Sequence, residues 1–244
     1  MQTRPLAILI RTFSERKRRA LFLKTALEQH FECSVFLIDV QSKAHYSQGF
    51  IIETLRFLES YEAIADYFLI VEDDMLFSKT ARTIIDEAIF KDLPHLWCSI
   101  PEHRLVSQAL PLSSNIKFIF LAQPIYYSGA ILFEKSVLKD CLTEYCISFL
   151  ELAQPNADVF FSSFLTRANQ PLFVSHNSFA TDKRVSSTLS NAKHSNTYRK
   201  LPPQIDHLFD FSQVDESFLP QGKRLLHTQN SLLFDTTKSV DSPI

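Results

Sequence analysis

Residues 68–80 read FLIVEDDMLFSKT. Four apolar residues run into three consecutive carboxylates, Glu72, Asp73 and Asp74, and the chain then turns apolar again. Like charges at the end of a buried strand repel, and burying them is unfavourable unless a cation offsets them. Hard divalent cations take oxygen ligands, and Mg²⁺ usually binds one or two carboxylates together with substrate phosphates. The triplet therefore suits Mn²⁺ or Mg²⁺ held against a diphosphate. The plain reading of the same residues is a solvated acidic turn.

The elements that must position such a site are legible from periodicity. Residues 6–10 (LAILI), 33–40 (CSVFLIDV) and 67–71 (YFLIV) are short continuous apolar runs, the mark of strands buried on both faces. Between them, Ala20, Leu23 and Leu27 recur at helical spacing after a candidate N-cap at Ser14, and a second helix opens at Gly49. Strand, helix, strand, helix, strand implies a parallel sheet with crossover helices. Further along, 80–90 reads as a helix, and 96–100, 116–121 and 125–135 contain strands, the last broken by Gly129. Two helices follow, over 136–153 and 158–168, then a short strand at 171–176. Residues 177–200 read as a loop, and the chain beyond about 228 as a polar tail. The reading is one domain over 1–227, with a nucleotide-binding half at 6–125 and an acceptor half at 126–227, and a tail at 228–244.

In open α/β sheets, ligands bind beyond the carboxyl ends of the strands. Arg11 and Thr12 end the first strand, Asp39 lies at the end of the second, and the acidic triplet ends the third. This order resembles the nucleotide-binding half of a GT-A glycosyltransferase, and the segment from Asp39 loosely resembles family 2 enzymes. The resemblance implies a Rossmann-like, mostly parallel central sheet flanked by helices. It implies that Arg11 and Thr12 contact the nucleotide, that Asp39 faces the base, and that Glu72, Asp73 and Asp74 stand for the family's acidic triplet, with Asp74 the usual metal ligand. The segment YYSGAILFEKSVL resembles the stretch whose backbone lines the donor-sugar pocket, so Gly129 and Ala130 fit that place. PNADVFFSSFLTRANQPLFVSH is similar to the later stretch where a carboxylate opens a helix and acts as general base. Asp158 matches it, with Glu151 as a fallback. A histidine after the following strand would complete the metal site, His176 first and His194 second. The implied reaction moves a sugar from a nucleotide-diphosphate sugar, UDP-sugar favoured, to a hydroxyl on a glycan or other acceptor, with inversion. The triplet departs from the strict DXD pattern, and the acidic pair expected before the later helix is reduced to Ala157-Asp158.

Each pick has a blander reading. Asp158 can be a helix N-terminal acid favoured by the macrodipole, His176 a surface histidine, Gly129 a bulge. The basic run Arg16, Lys17, Arg18, Arg19 reads as a solvated helix face. Lys183 and Arg184 lie in the polar loop, where a closing segment could meet the departing diphosphate.

Composition narrows the classes. The 244-residue chain is 45% hydrophobic and 21% charged with a formal net charge of -2, so no global attraction to nucleic acid or anionic membrane follows. Four cysteines at 33, 98, 141 and 146 have no CxxC spacing and give no zinc or redox motif. No run reaches the length of a bilayer span and the start lacks signal-peptide form, so the expectation is a cytoplasmic protein. The competing functions are a nucleotidyltransferase of related fold and a nucleotide-sugar-binding module without turnover. The first would have a Gly-rich loop after the first strand, and RTFSERKRR contains no glycine.

Overall fold

The computed structural model describes residues 4–13, 16–40, 46–61, 63–98, 110–121, 129–151, 157–176, 178–182, 225–228 and 231–234. In chain order these form β1 (Leu6–Phe13), α1 (Lys17–Phe31), β2 (Ser34–Val40), α2 (Tyr46–Ser60), β3 (Tyr67–Glu72), β4 (Met75–Phe77), α3 (Ala81–Phe90) and β5 (His95–Trp97). There follow β6 (Leu110–Pro111), β7 (Ile116–Ile119), β8 (Ala130–Glu134), α4 (Lys135–Glu151), α5 (Ala157–Arg167), β9 (Leu172–Ser175), β10 (Ala180–Asp182), β11 (Leu225–Thr228) and β12 (Ser231–Phe234).

Eight strands make one sheet in the order β2-β1-β3-β8-β5-β9-β7-β6. The pairings orient β2, β1, β3, β5, β9 and β6 one way and β8 and β7 the other. The architecture is thus α/β and Rossmann-like, with a mixed, mostly parallel sheet. The unbroken apolar runs explain the central strands: in β1, Ala7 and Leu9 pack into one core and Ile8 and Ile10 into the other. The same alternation splits β3, with Phe68 and Ile70 on one face and Tyr67, Leu69 and Val71 on the opposite one. α2, α4 and α5 cover the first face through residues such as Phe50, Leu138 and Phe161, and α1 and α3 the second through Leu23, Leu27, Ile84 and Ile85.

Several boundaries differ from the sequence reading. α1 begins at Lys17 with Arg16 in the capping position and no side-chain cap, whereas Ser14 lies outside the described residues. α2 begins at Tyr46, so Gly49 sits in its first turn and does not open it. A Cβ at Gly49 would lie 2.6 Å from Val40 Cγ1, so the glycine lets α2 lie tight against β2. Residues 177–200, read as a loop, contain β10, which pairs antiparallel with β4. β4 was not foreseen either. β11 and β12 form a two-stranded antiparallel ladder where the sequence suggests the start of a polar tail.

Candidate functional site

The connection from β1 leads to β2 on one side, and the chain returns through α2 to β3 on the other. The carboxyl ends of β1 and β3 therefore flank the switch point at which open α/β sheets form their ligand crevice. Register places polar residues together there: Arg11 is opposite Glu72, and Thr12 opposite Asp39.

Glu72 closes β3, Asp73 and Asp74 lie in the turn that follows, and the triplet divides between the two faces of the sheet. Glu72 follows Phe68 and Ile70 onto the α2 face, where Arg11 Nη2 lies 2.7 Å from its Oε1. Arg11 is almost wholly buried at 1% exposure, and its guanidinium stacks 4.5 Å from the centre of the Phe50 ring on α2. Asp73 turns to the α1 face. Its Oδ2 accepts a hydrogen bond from Thr12 Oγ1 at 2.9 Å, and its Oδ1 lies 2.9 Å from Arg16 Nη2. The same Arg16 nitrogen donates to Asp74 Oδ2 at 3.0 Å, so one guanidinium bridges two neighbouring carboxylates. Arg19, one turn along α1, adds its positive charge near Asp74 and Asp73, and its own burial lowers its pKa. Glu72, Asp73 and Asp74 are thus met by Arg11, Arg16 and Arg19. The cations that make an acidic strand end tolerable are the chain's own arginines.

Asp73 is the most confined of the acids at 2% exposure. Burial pushes its carboxyl up to about 6; the charges of Arg16 and Arg19 and the Thr12 hydrogen bond oppose the rise, and repulsion from Asp74 adds to it. Asp39 sits one strand further out. Its Oδ2 is 3.4 Å from Lys17 Nζ, and its buried Oδ1 accepts no hydrogen bond among the described residues. Across β3, the reversed strand β8 brings its start to the same edge: the Glu72 N–H donates to Gly129 O at 2.8 Å, and Ala130 pairs with Val71.

Oxygen donors alone make up this set, as Mn²⁺ or Mg²⁺ requires. Asp73 and Asp74 already share one cationic partner, and each keeps a buried Oδ1 that accepts no hydrogen bond among the described residues. No group of three or more histidine, cysteine, aspartate or glutamate side chains is gathered for a metal among the described residues. The residues therefore fit a two-carboxylate site completed by ligand oxygens, and not an all-protein cage.

Arg11, Thr12, Asp39, Glu72, Asp73, Asp74, Gly129 and Ala130 are thus brought to one edge of the sheet. His176 is not brought beside them. It follows β9, three strand positions from β3, about 14 Å at roughly 4.8 Å per step. It is exposed, and its backbone N–H bonds Asn115 O. Asp158 lies in the first turn of α5. His194, Lys183 and Arg184 lie outside the described residues. The basic run on α1 is not one solvated face: Lys17 and Arg18 are exposed, while Arg16 and Arg19 turn toward the acids. Helical spacing could have shown this, because 16 and 19 fall on the stripe that continues through the buried Ala20, Leu23 and Leu27. The β4–β10 pairing, which sets Asp182 opposite Met75 directly after Asp74, had no such signal.

No family model matches the sequence, and no curated protein matches it either. Among solved structures, a glycosyltransferase involved in the glycosylation of the major capsid of PBCV-1 superposes with a TM-score of 0.38 at 17% identity, over 62% of this chain and 68% of that one. A 4-diphosphocytidyl-2C-methyl-D-erythritol synthase from Anaerococcus prevotii superposes with a TM-score of 0.44 at 8% identity, over 75% of this chain and 94% of that one. Likenesses this distant say nothing about chemistry, which rests on the residues themselves. No helix among the described residues is long and apolar enough to cross a membrane.

Proposed function

We propose that the protein is a glycosyltransferase that moves a sugar from a nucleotide-diphosphate sugar to an acceptor hydroxyl. The observation that carries this reading is the convergence of Arg11, Thr12, Arg16, Asp39 and the acidic triplet at the β1/β3 switch point. Asp39, on the outer strand, would meet the nucleoside; its buried Oδ1, which accepts no hydrogen bond among the described residues, suits a ribose hydroxyl or base N–H. Asp73 and Asp74 would hold a divalent cation, Mn²⁺ or Mg²⁺, which when bound neutralises the diphosphate as the sugar–oxygen bond breaks. Arg16 and Arg19, at the start of α1, add cationic charge and helix N–H groups on the side where a diphosphate would lie. Gly129 and Ala130 present backbone to the sugar without side-chain bulk. Asp158 is the candidate base that takes the acceptor proton, which gives inversion.

The test is calorimetric titration of UDP-, GDP-, dTDP- and CMP-sugars, with and without Mn²⁺, on the wild type and Asp74→Ala. One nucleotide should bind in a metal-dependent manner, and the variant should bind it at least about a hundredfold more weakly, a loss of about 2.7 kcal/mol. If none of the four binds under either condition, the reading is wrong. If a nucleoside triphosphate binds and no nucleotide sugar does, the chemistry is nucleotidyl transfer.

A further inference from the structure

Helix starts favour anions, because the macrodipole and the free N–H groups are positive there. α1 does the opposite: residues 16–19 are all basic and its first turn holds no acid. Two features make this arrangement stable. Arg16 bridges Asp73 and Asp74 with one nitrogen at 2.9 and 3.0 Å, and Arg19 lies near the same pair. Asp73 is 2% exposed, and its Oδ1 accepts no hydrogen bond among the described residues and lies against the Arg16 guanidinium. Among the described residues the triplet is locally balanced, with three acids against three guanidinium groups. A divalent cation entering by itself would leave an excess of two positive charges in a confined space; the same cation entering with a diphosphate would not.

The two arginines nearest the acids differ in freedom. Both guanidinium groups stack on a buried ring, Arg11 at 4.5 Å from the centre of Phe50 and Arg16 at 5.4 Å from that of Phe13, but the Arg11 side chain is 2% exposed whereas that of Arg16 is 17% exposed and lies at a helix end. Arg16 is the less enclosed of the two. We infer that Arg16 is a built-in counter-cation: it occupies the position between Asp73 and Asp74 until a cation–diphosphate complex arrives, then yields the carboxylates to the cation and turns to the diphosphate. Metal binding is therefore obligately coupled to diphosphate binding. The inference deepens the proposed function and rests on it for the nature of the diphosphate ligand.

Mn²⁺ binding can be followed by water-proton relaxation enhancement, which needs no turnover. With wild type, Mn²⁺ alone should bind at least roughly tenfold more weakly than Mn²⁺ with inorganic pyrophosphate, the scale of one charge removed near a partly screened site. Arg16→Gln should bind Mn²⁺ alone about tenfold more tightly than wild type, and should lose most of the gain from pyrophosphate. Arg16→Lys, which keeps the charge, should stay within about threefold of wild type for Mn²⁺ alone. Wild type binding Mn²⁺ equally well with and without pyrophosphate overturns the inference, and so does an Arg16→Gln affinity for Mn²⁺ alone equal to or weaker than wild type. The wild-type comparison decides the matter even if the variant does not fold. Absence of nucleotide-sugar binding would sink the glycosyltransferase reading while leaving this metal titration to stand or fall by itself.

Discussion

Two buried titratable side chains lie on the same sheet and are handled in opposite ways. Asp73, at 2% exposure, is surrounded by the charges of Arg16, Arg19 and Asp74 and bonded by the Thr12 hydroxyl. His95, at 1% exposure, is surrounded by rings, with Phe173 at 5.4 Å and Phe133 at 6.5 Å between centroids. Its Nε2 accepts the Phe173 N–H at 3.3 Å, which a protonated Nε2 could not do. Burial holds the imidazole down to about 4, and its interaction with the Pro171 backbone is too weak to reverse that. One region stays charged at neutral pH because counter-charges were built around it; the other stays neutral because none were. The difference separates a site from a core position: buried charge persists where the fold keeps cations for it, and those cations can be traded for a ligand.

One of the two largest effects should come from taking away a built-in cation that nothing can replace. Arg11→Met keeps the volume beside Phe50 but strands Glu72. Removing one member of a buried ion pair costs about 3–5 kcal/mol. The Glu72 side chain is 30% exposed and water recovers part of that, so urea denaturation should show a loss of about 2–3 kcal/mol. Adding Glu72→Gln should return at least half of it. A single variant within 0.5 kcal/mol of wild type, about the noise of such a comparison, would mean that the pair is not coupled and that Glu72 is simply solvated.

The next effect compares the two regions directly through pH. His95 has a folded pKa of about 4 against an ordinary 6.5, so its neutral burial contributes stability above pH 6.5 that is lost as pH falls through 4. Asp73 has a folded pKa of about 6 against 3.8, so its contribution has the opposite sign: it is fully present below pH 3.8 and lost as pH rises through 6. Between pH 4 and 6.5 the two oppose each other. His95→Phe should leave the acid side relatively more stable, with the variant-minus-wild-type difference growing by about 3 kcal/mol on acidification across that window. Thermal melts of metal-free protein at half-unit pH steps measure it. A flat difference curve would show that His95 is not the acid-labile position.

How much of this was legible in the residues depends on the range of the interactions. Leu6–Ile10 and Tyr67–Val71 announce buried strands because both faces are covered, and the covering is written locally as an unbroken apolar run. Charges that interrupt such runs at their carboxyl ends, as at Arg11, Asp39 and Glu72, are legible for the same reason. β4 and β10 were not, because each is three residues long and each is a strand only through its partner about a hundred residues away. The role of Arg16 fell between these cases. Residues 16–19 look alike as a basic run, and only the 3.6-residue period tells the two that face the acids from the two that face water. His95 gave no signal at all: in PHLWC an imidazole between proline and leucine reads the same whether it is a ligand, a switch or a packed ring.

The smallest effect sharpens the comparison most, because it separates a specific bridge from a general field. Lys17 is the neighbour of Arg16, carries the same charge, and pairs with Asp39 at 3.4 Å with side chains 56% and 33% exposed. Exposed pairs of this kind contribute about 0–1 kcal/mol, and a cation in the first turn of a helix works against the macrodipole by a similar amount. Lys17→Met should therefore shift stability by less than about 0.5 kcal/mol, or roughly 1–2 °C in Tm. Its affinity for Mn²⁺ alone should stay within about twofold of wild type, since a solvated charge acts weakly through water and salt weakens it further. If Lys17→Met tightened Mn²⁺ binding as much as Arg16→Gln, net charge at the mouth of the cleft would be the controlling quantity, and the guanidinium between Asp73 and Asp74 would be one basic residue among four. If only Arg16→Gln does so, what matters is position: a single cation held between two carboxylates, released when a ligand brings its own.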